Sequence, residues 1–575
     1  MFRRQLICVI LWLSLVKADL TGTDPEPGTC ICVDANGINI RDSGCGNVIG
    51  TANNGDCWTY NGNKVICDLA GTTYDYFDLA YNDASGWLAG NYLVTSAPSS
   101  CDDAQSPDPE QRAVFIATAW NVDWPTSGWD SSSDQQSQML NYLDRLVDMN
   151  MNTVVFQVRP SADAFYDSSI EPWSKYLTGT QGVAPDPYYD PLSFTVTEAH
   201  SRGIEVHAWL NPYRANLVPN TDGMAPNHAC LDSVLGQYCY RYDEYMWLDP
   251  GAPEVVDRLI SVIQDIVTRY DVDGIHFDDY FYPYPDGTQF PDDATYELYG
   301  DGMSRDDWRR NNVNTMVQRV YNTIRSASGT VKFSISPFGI YRPGHPEGMD
   351  PPIAGMDPYS ELYADAKLWL QNGWLDFLAP QLYWTIAGQG QSYPVLLDYW
   401  LEWNTQARFV YAANGVYKIA DSNDWPLSEI GDQVDLSRDA TRRSSGSLGN
   451  IMYSAKYFRD NTDGIYDYFI STVYPTAASV PPMDWLPGAK TPEAPRARAL
   501  GSLITWQAAS GDEVTHTWSL YAKKGNKWNM LKRLPRYATS YRVIEPGLYS
   551  IRAASRSNHL SGAALVSVTS ANGKA

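Results

Sequence analysis

The chain has 575 residues, of which 44% are hydrophobic and 19% are charged. This length exceeds what one hydrophobic core organises, and this composition excludes a disordered chain, so we expect about two to four globular domains. The formal net charge of −25 disfavours nucleic acids and anionic membrane surfaces as partners, because both are bound through basic patches.

The first 18 residues, MFRRQLICVILWLSLVKA, have the pattern of a secretory signal peptide. Arg3 and Arg4 form a positive start, the apolar run after them is too short to span a bilayer comfortably, and Ala18 is a small residue suited to cleavage. No later run of about 18 apolar residues follows. We therefore predict a signal peptide over residues 1–18, a secreted, extracellular protein and no membrane anchor.

The cysteines fit an oxidising compartment. Of the nine cysteines, Cys8 lies in the signal peptide, and the others form an even set. Most of them fall between Cys30 and Cys101, whereas Cys230 and Cys239 form a separate pair. We predict three disulfides near the N-terminus and one within a loop. A zinc site is less favoured, because the sequence has no CxxC pairs and no clustered histidines nearby.

Residues 29–101 are rich in Gly and Cys and contain short strand-like runs separated by Asn-Gly and Gly-Asn turns. This pattern indicates a small all-β module of hairpins, for which disulfides are a useful source of stability. The segments INIRDSGCGNVIGT and GWLAGNYL resemble a bacterial-type SH3 domain. That resemblance implies a module that binds cell-wall or matrix polymers, or one that only packs on its neighbour.

Residues 110–485 alternate apolar, strand-like runs with helical patterns such as APEVVDRLISVIQDIVTRY. Eight alternations in a stretch of this size predict a (β/α)8 TIM barrel. The alternative is an open doubly wound sheet, but no GxGxxG turn follows the first run, which disfavours a dinucleotide-binding fold. The predicted strands are residues 114–120, 153–160, 203–210, 272–279, 331–337, 374–384, 408–414 and 449–455.

Residues 491–575 change in composition again. The segment TPEAPRARALG is predicted to be a linker, and the strand-like runs after it indicate a small β-sandwich. The segments SLITWQA and GLYSIRAASRSN resemble a fibronectin type III domain. That resemblance implies a spacer or a packing partner for the barrel.

The strand ends of the predicted barrel carry carboxylates, amides, guanidinium groups and large aromatic rings. In TIM barrels the carboxyl ends of the strands form the active site. Carboxylates serve as acid, base or nucleophile, and aromatic faces stack on sugar rings, so this set favours glycoside hydrolysis. A metal site formed by His207, His276 and Asp278 is less favoured, and we predict neither a metal nor another cofactor. The predicted substrate-binding residues are Trp120, Asp123, Arg159, His207, Asn211, Tyr213, Arg214, His276, Tyr280, Tyr282, Gln381, Tyr383 and Trp384.

The segment DGIHFDDYFYPYP, residues 273–285, places two carboxylates at the end of the fourth predicted strand. Side chains alternate between the faces of a strand, so Asp278 shares a face with His276, and Asp279 points away unless the strand has already ended. We predict Asp278 to be catalytic; the alternative is a structural ion pair with a neighbouring arginine. Asp279 and Asp163 are the candidates for a second catalytic carboxylate, with helix capping or loop pairing as the alternative role.

Several long motifs of the barrel region resemble the glycosyl-hydrolase-like 10 family. They are RAVFIATAWNVDWPTSGW, FQVRPSADAFYDSSIEPWSKYLTGTQG, GIEVHAWLNPYR, DVDGIHFDDYFYPYP, FSISPFGIYR and WLDFLAPQLYW. The resemblance implies a (β/α)8 barrel that acts on glycans, with the glycan strands of peptidoglycan, especially strands stripped of peptides, as the associated substrate.

The fourth-strand motif is also similar to that of two broader groups of barrels. In α-amylase-type enzymes the position of Asp278 is the nucleophile. The chitinase-type pattern DGxDxDxE would place an acid at Tyr280 and an aspartate at His276, and this departure argues against chitinase-style catalysis. We therefore predict a secreted glycoside hydrolase of an amino-sugar polymer, with peptidoglycan first. The alternatives are a hydrolase of an algal or matrix polysaccharide and a non-catalytic glycan-binding protein.

Overall fold

The structure is a computed structural model. It describes residues 20, 25, 29–43, 45–52, 57–69, 72–81, 84–95, 108–421, 425–524 and 527–568. The predicted signal peptide and Cys101 therefore lie outside the described residues. Within the described part of the chain, no helix combines the length and the apolar character needed to cross a membrane.

The N-terminal region forms one antiparallel sheet of seven strands. Its core contains Ile31, Phe77 and Leu88, which come from different strands and are fully buried. One predicted disulfide is present as the Cys45–Cys67 pair, and Cys32 is disulfide-bonded as well. The strands are Cys30–Val33, Ile38–Arg41, Val48–Ala52, Cys57–Leu69, Thr72–Tyr81, Ala84–Ala89 and Leu93–Thr95.

The central region is a parallel barrel, as predicted. Its first strand pairs with its last through Gly449 and Gln111. The seventh strand is interrupted at Tyr411; one half pairs with the sixth strand and the other with the eighth, so the ring of eight strands closes. The eight strands are Gln111–Ile116, Thr153–Arg159, Glu205–Leu210, Gly274–Phe277, Lys332–Ile335, Phe377–Leu378, Phe409–Val410 with Ala412–Gly415, and Gly449–Tyr453.

Amphipathic helices cover the outside of the barrel. In Pro253–Arg269 the buried positions Val255, Leu259, Val262 and Ile266 recur at helical spacing and face the strands. Proline begins several helices, where its missing N–H costs no hydrogen bond. The α-helices of this region are Ser132–Asp148, Lys175–Thr178, Pro191–Ser201, Pro253–Arg269, Asp293–Tyr299, Arg305–Ala327, Pro358–Glu361, Ala366–Asn372, Tyr393–Glu402, Leu427–Arg438, Ala440–Ser444, Ala455–Arg459 and Ile465–Tyr468.

All eight predicted barrel strands are present, but most are shorter than predicted. The largest difference is the sixth, where the prediction over residues 374–384 reduces to Phe377–Leu378 with an isolated bridge at Gln381. Pro380 lies between them and has no N–H for the ladder. The third loop adds a small antiparallel sheet of Arg214–Asn216, Cys239–Tyr242 and Tyr245–Leu248. The predicted loop disulfide, Cys230–Cys239, is present in that loop.

The C-terminal region consists of two antiparallel sheets with three and four strands. Ile504 from one sheet and Trp518 and Ile551 from the other lie in one buried core, so the sheets pack face to face. Part of the predicted linker is a strand, because the chain after Pro495 turns back at residues 501–502 and pairs with itself. The strands are Arg496–Leu500, Leu503–Gln507, Thr515–Lys524, Lys527–Pro535, Ser540–Arg542, Gly547–Ser555 and Ala564–Val568.

The four-stranded sheet lies against the end of the barrel where the strands begin, which we call the floor. There Arg533 reaches Glu205, a buried residue at the start of the third barrel strand, at 3.3 Å, and Lys332 contacts the same carboxylate at 2.7 Å. A second contact joins Asp273 to Arg556 at 3.5 Å. Charged groups of the C-terminal region therefore complete the floor of the barrel.

Candidate active site

Asp278 and Asp279 lie at the opposite end of the barrel, which we call the mouth, directly after the fourth strand ends at Phe277. Both side chains are buried. The Asp278 Oδ2 atom accepts hydrogen bonds from Asn211 Nδ2 at 2.5 Å and from Trp209 Nε1 at 3.1 Å. From the residues that the structure describes, its Oδ1 atom accepts one longer bond, at 3.2 Å, from the backbone N–H of Tyr280. The carboxyl group is thus fixed through one oxygen, and the other has fewer protein contacts.

Asn211 is itself held in place by the second strand. Gln157 Nε2 donates to Asn211 Oδ1 at 2.6 Å, and Arg159 donates to the Asn211 carbonyl at 2.5 Å. Arg159 is buried and paired with Glu171 at 2.6 Å. The predicted substrate-binding residues Arg159 and Asn211 therefore orient Asp278; neither stands free to bind a sugar.

Asp279 also turns into the mouth. The hydroxyl of Tyr284 donates a hydrogen bond to its Oδ2 atom, and the side chain of Gln381 is a further hydrogen-bond partner. Strand alternation would point Asp279 away from Asp278, but the strand has ended before either residue, so the rule no longer applies. The two carboxyl groups are therefore neighbours with separate supports.

Burial and mutual repulsion determine the protonation of this pair. Burial and the adjacent charge of Asp279 together raise the pKa of Asp278 to about 7, while Arg214 acts in the opposite direction. The pKa of Asp279 is raised too, chiefly by burial, while the hydrogen bond from Tyr284 opposes that shift. Two adjacent buried carboxyls do not readily ionise together, so the pair retains a proton close to neutral pH.

One wall of the mouth combines Arg214 with aromatic rings. The guanidinium lies 4.9 Å from the centre of the Tyr280 ring and 5.8 Å from that of Trp120, and its Nε atom donates to the Pro160 carbonyl at 3.0 Å. Trp120 has a left-handed backbone with φ of 52° and remains 48% exposed. Tyr245, from the added hairpin, packs edge-on against Trp120. This wall presents an open aromatic surface above a fixed cation.

The other wall comes from the last three strands. Tyr383 lies 5.8 Å from Tyr417 and 6.0 Å from Tyr453, measured between ring centres. The charges of Asp279 and Asp278 both act on the Tyr383 hydroxyl, whose pKa is raised above its usual value mainly by burial. Trp384 packs against Phe338 close by. The predicted residues Gln381, Tyr383 and Trp384 thus belong to this part of the mouth.

Two predicted aspartates have structural contacts instead. Asp163 accepts the backbone N–H of Ser161 at 3.0 Å inside its own loop, and burial raises its pKa to about 6. Asp123 accepts hydrogen bonds from the backbone N–H of Ala117 at 2.7 Å and from the Ser454 hydroxyl at 2.8 Å. Because these bonds come from the loops themselves, we assign both aspartates to holding loops rather than to contacting substrate.

Four other predicted residues lie away from the mouth. His276 is buried inside the barrel and bonds Ser334 through Nδ1 at 2.8 Å. His207 lies at the floor, 3.4 Å from Glu205. Tyr213 and Tyr282 are buried in the core between the barrel and its helices. The periodicity of the sequence does not show whether a tyrosine or histidine near a strand end faces the cleft or the core.

Among the residues that hold the carboxyl pair, the predicted site omits Trp209, Gln157 and Tyr284. In the walls of the mouth it also omits Tyr245, Tyr417 and Tyr453. Trp209 and Gln157 could have been found by alternation, since each shares an inward face with a predicted neighbour two residues away. Tyr284 follows Asp279 by five residues, and no periodic pattern signals a loop contact of that kind.

Among the described residues, one histidine–aspartate group has ligand spacing suitable for a metal ion, and it lies at the floor. The ligand atoms of His200, Asp273 and His516 are within 4.8 Å of one another. Arg556 lies 3.5 Å from Asp273 and supplies positive charge there. His200 also bonds Asp273 directly at 2.8 Å. This group is therefore an ion-pair network between the barrel and the C-terminal sheets.

The family model for glycosyl hydrolase-like 10 matches residues 110–425. Glycosyl hydrolase YngK of Bacillus subtilis (strain 168) is 40% identical over 415 residues, covering 69% of this chain and 78% of the relative. Glycosyl hydrolase DigH of Escherichia coli (strain K12) is 35% identical over 382 residues, covering 62% and 86%. The glycoside hydrolase domain of PgaB (BpsB) from Bordetella bronchiseptica superposes with a TM-score of 0.41 at 13% identity, covering 63% of this chain and 98% of that domain. The chain belongs to the glycosyl hydrolase-like 10 family.

Proposed function

We propose that the chain is a secreted glycoside hydrolase that cleaves the glycan strands of bacterial peptidoglycan. The observation that carries the catalytic part of this proposal is the buried Asp278–Asp279 pair at the mouth, which no short ion pair neutralises within the described residues. Most glycosidases use two carboxyl groups at the scissile bond, one of them protonated at the working pH.

Asp278 is the proton donor in this proposal. Its pKa of about 7 keeps much of the population protonated near neutral pH, and its Oδ1 atom is the less occupied oxygen. Protonation of the glycosidic oxygen helps the leaving group depart. Trp209 and Asn211 hold the carboxyl group in one orientation during the transfer.

Asp279 is the partner carboxylate. Its hydrogen bond from Tyr284 favours the ionised form, and a negative charge at this position stabilises the positive charge that develops on the sugar ring. A water molecule then adds to the anomeric carbon, and the proton it loses returns to the Asp278 carboxylate. Trp120, Tyr280 and Tyr383 provide aromatic surfaces for the sugars on either side.

The substrate in this proposal rests on the sequence. The family resemblance points to peptidoglycan strands, and an SH3-like module at residues 29–101 would hold the enzyme on a cell wall. The fibronectin-like region from residue 491 acts as a packing partner of the barrel, consistent with the contact of Arg533 with Glu205. A signal peptide over residues 1–18, as the sequence predicts, would place the enzyme outside the cell.

The test is release of reducing ends by the full chain and by its Asp278→Asn variant. The substrates are intact peptidoglycan, peptide-stripped strands, chitin oligomers and several algal polysaccharides. We expect release from stripped strands that disappears in Asp278→Asn and persists in Asp163→Asn, the control. Release from another polymer alone would reassign the substrate, and binding without any release would make the chain a glycan-binding protein.

A further inference from the structure

Trp129 is a large aromatic side chain that the fold leaves in solvent. It is 79% exposed, more than Trp120, and both belong to the loop that joins the first barrel strand to its helix. Single exposed apolar side chains are common on protein surfaces. Trp129 differs from such residues because its ring and its loop are both held in a fixed position.

The ring of Trp129 rests on a glycine. A Cβ atom added to Gly179 would lie 2.5–2.6 Å from three consecutive atoms of the six-membered ring, Cε3, Cζ3 and Cη2. Nearly equal distances to three adjacent atoms place Gly179 over the face of the ring, since an approach at the edge would bring one atom much closer than its neighbours. One face of the indole is therefore supported by the backbone, and the opposite face is presented to solvent.

The loop around Trp129 is fixed by its own polar groups. A single oxygen of Asp130 accepts hydrogen bonds from the Thr126 hydroxyl at 2.7 Å, the Ser127 N–H at 2.9 Å and Gln138 Nε2 at 2.9 Å. The N–H of Trp129 donates to the Ser127 hydroxyl at 3.1 Å. A ring held in this way is already ordered before binding, so stacking a ligand on it costs little further conformational entropy.

The loop that carries the exposed Trp129 ring is connected to the proposed cleft. Both loop segments meet the short helix Lys175–Thr178 at the same carbonyl group. Asn121 Nδ2, next to Trp120, donates to the Tyr176 carbonyl oxygen at 2.7 Å. A Cβ on Gly128, next to Trp129, would be 3.3 Å from that same oxygen and 2.9 Å from the Lys175 carbonyl oxygen. Each exposed tryptophan is therefore one residue away from a contact with this helix at the mouth of the barrel.

We propose that Trp129 forms a remote sugar-binding subsite, which stacks on a pyranose ring of a long amino-sugar strand whose scissile bond lies at Asp278. The inference rests on the proposed function and names the substrate feature that the site selects, namely strand length. The C–H face of a pyranose is apolar and flat, and it matches the open face of an indole. A strand that reaches Trp129 gains a contact that a short oligosaccharide cannot make.

The experiment compares Trp129→Ala, Trp129→Phe and the control Tyr537→Ala, which removes a 73% exposed aromatic ring from the C-terminal region. We measure kcat/KM on long peptide-stripped strands and on short oligosaccharides of the same polymer. The ratio of long to short should fall about tenfold in Trp129→Ala, as expected for one stacking contact. It should recover in part in Trp129→Phe and stay at the wild-type value in Tyr537→Ala.

Binding of long strands to the same variants in the Asp278→Asn background, with melting curves as a check of folding, separates the two proposals. If the wild type cleaves strands but Trp129→Ala keeps the wild-type ratio, or if Tyr537→Ala lowers it equally, the subsite is refuted and the proposed function stands. If the wild type neither cleaves nor binds any strand, the proposed function itself fails.

Discussion

The two ends of the barrel bury carboxylates in opposite ways. At the floor, burial alone would raise the pKa of Glu205, but Lys332 and Arg533 hold it well below its usual value. At the mouth, no basic group within the described part of the chain lies comparably close to Asp278, and the pKa of Asp278 is raised to about 7. Arg214 is the basic residue that acts on it there, and its guanidinium is directed toward aromatic rings and the Pro160 carbonyl.

The difference between the two ends shows that a buried carboxylate can either stabilise the fold or be available for catalysis, depending on its neighbours. A paired carboxylate stays ionised and joins segments that are distant in the chain. A carboxylate held by hydrogen bonds and placed beside another carboxylate keeps a proton that can be transferred. The floor therefore contributes stability, and the mouth retains an electrostatic cost that a catalytic site can use.

The largest expected effect is the loss of activity in Asp278→Asn. The amide keeps the shape and an acceptor for Trp209 and Asn211 but cannot donate the carboxyl proton, so activity should fall by about 10²- to 10⁴-fold. Release of reducing ends from the cleaved polymer measures the effect, and melting curves monitor the fold. Activity close to that of the wild type would assign the acid role to Asp279 instead.

Glu205→Gln should weaken the floor. The change leaves Lys332 and Arg533 buried without their carboxylate, which lowers the free energy of unfolding by about 3–5 kcal/mol. The control is Glu198→Gln, whose ion pair with Arg202 is partly exposed and is worth less than about 1 kcal/mol. Denaturant unfolding compares the two. Equal effects would show that the floor pairs carry no special stability.

The carboxylates at the mouth and at the floor should also give the free energy of unfolding opposite dependences on pH. The raised pKa of Asp278 means that the folded state keeps a proton that the unfolded state releases near pH 4, so this residue makes stability fall as pH rises from about 4 to about 7. Glu205 has the opposite sign, because its lowered pKa supplies stability above about pH 4 that is lost as pH falls.

Asp278→Asn removes the first of these dependences. The variant should match the wild type near pH 4 and become more stable by up to about 4 kcal/mol near pH 7. Unfolding midpoints at a series of pH values measure the difference. A gap that is constant with pH would mean that Asp278 is ionised in the folded protein.

The barrel and the position of Asp278 at its mouth could be predicted from the sequence because both depend on local patterns. Eight apolar runs in alternation with helical segments determine the fold, and a carboxylate at the end of a buried strand marks the mouth. The direction of Asp279 could not be predicted, because it depends on the strand ending at Phe277 rather than two residues later. The alternation of side chains predicts their direction only within a strand, and the sequence does not fix the residue at which the strand ends.

Contacts between distant segments were also beyond prediction. Arg533 and Glu205 are 328 residues apart, and no local signal relates them. Tyr213 and Tyr282 occur among cleft residues in the sequence, yet they are buried against helices. An aromatic residue after a strand can line the cleft or fill the core, and the packing of the surrounding loops decides which of the two it does.

The smallest effect expected is a shift of the acid limb of the pH–activity profile in Tyr284→Phe. In the proposed mechanism, activity requires Asp278 protonated and Asp279 ionised, so we expect Asp278 to set the alkaline limb near its pKa of about 7 and Asp279 to set the acid limb. The Tyr284 hydroxyl favours ionised Asp279. Its removal should raise the pKa of Asp279 and move the acid limb upward by about one pH unit, with the alkaline limb changed less. Tyr242→Phe is the control, since its hydroxyl bonds the Thr288 carbonyl outside the pair. If both limbs stay in place, Asp279 has no role as the ionised partner, and the distinction between the ends of the barrel rests on Asp278 alone.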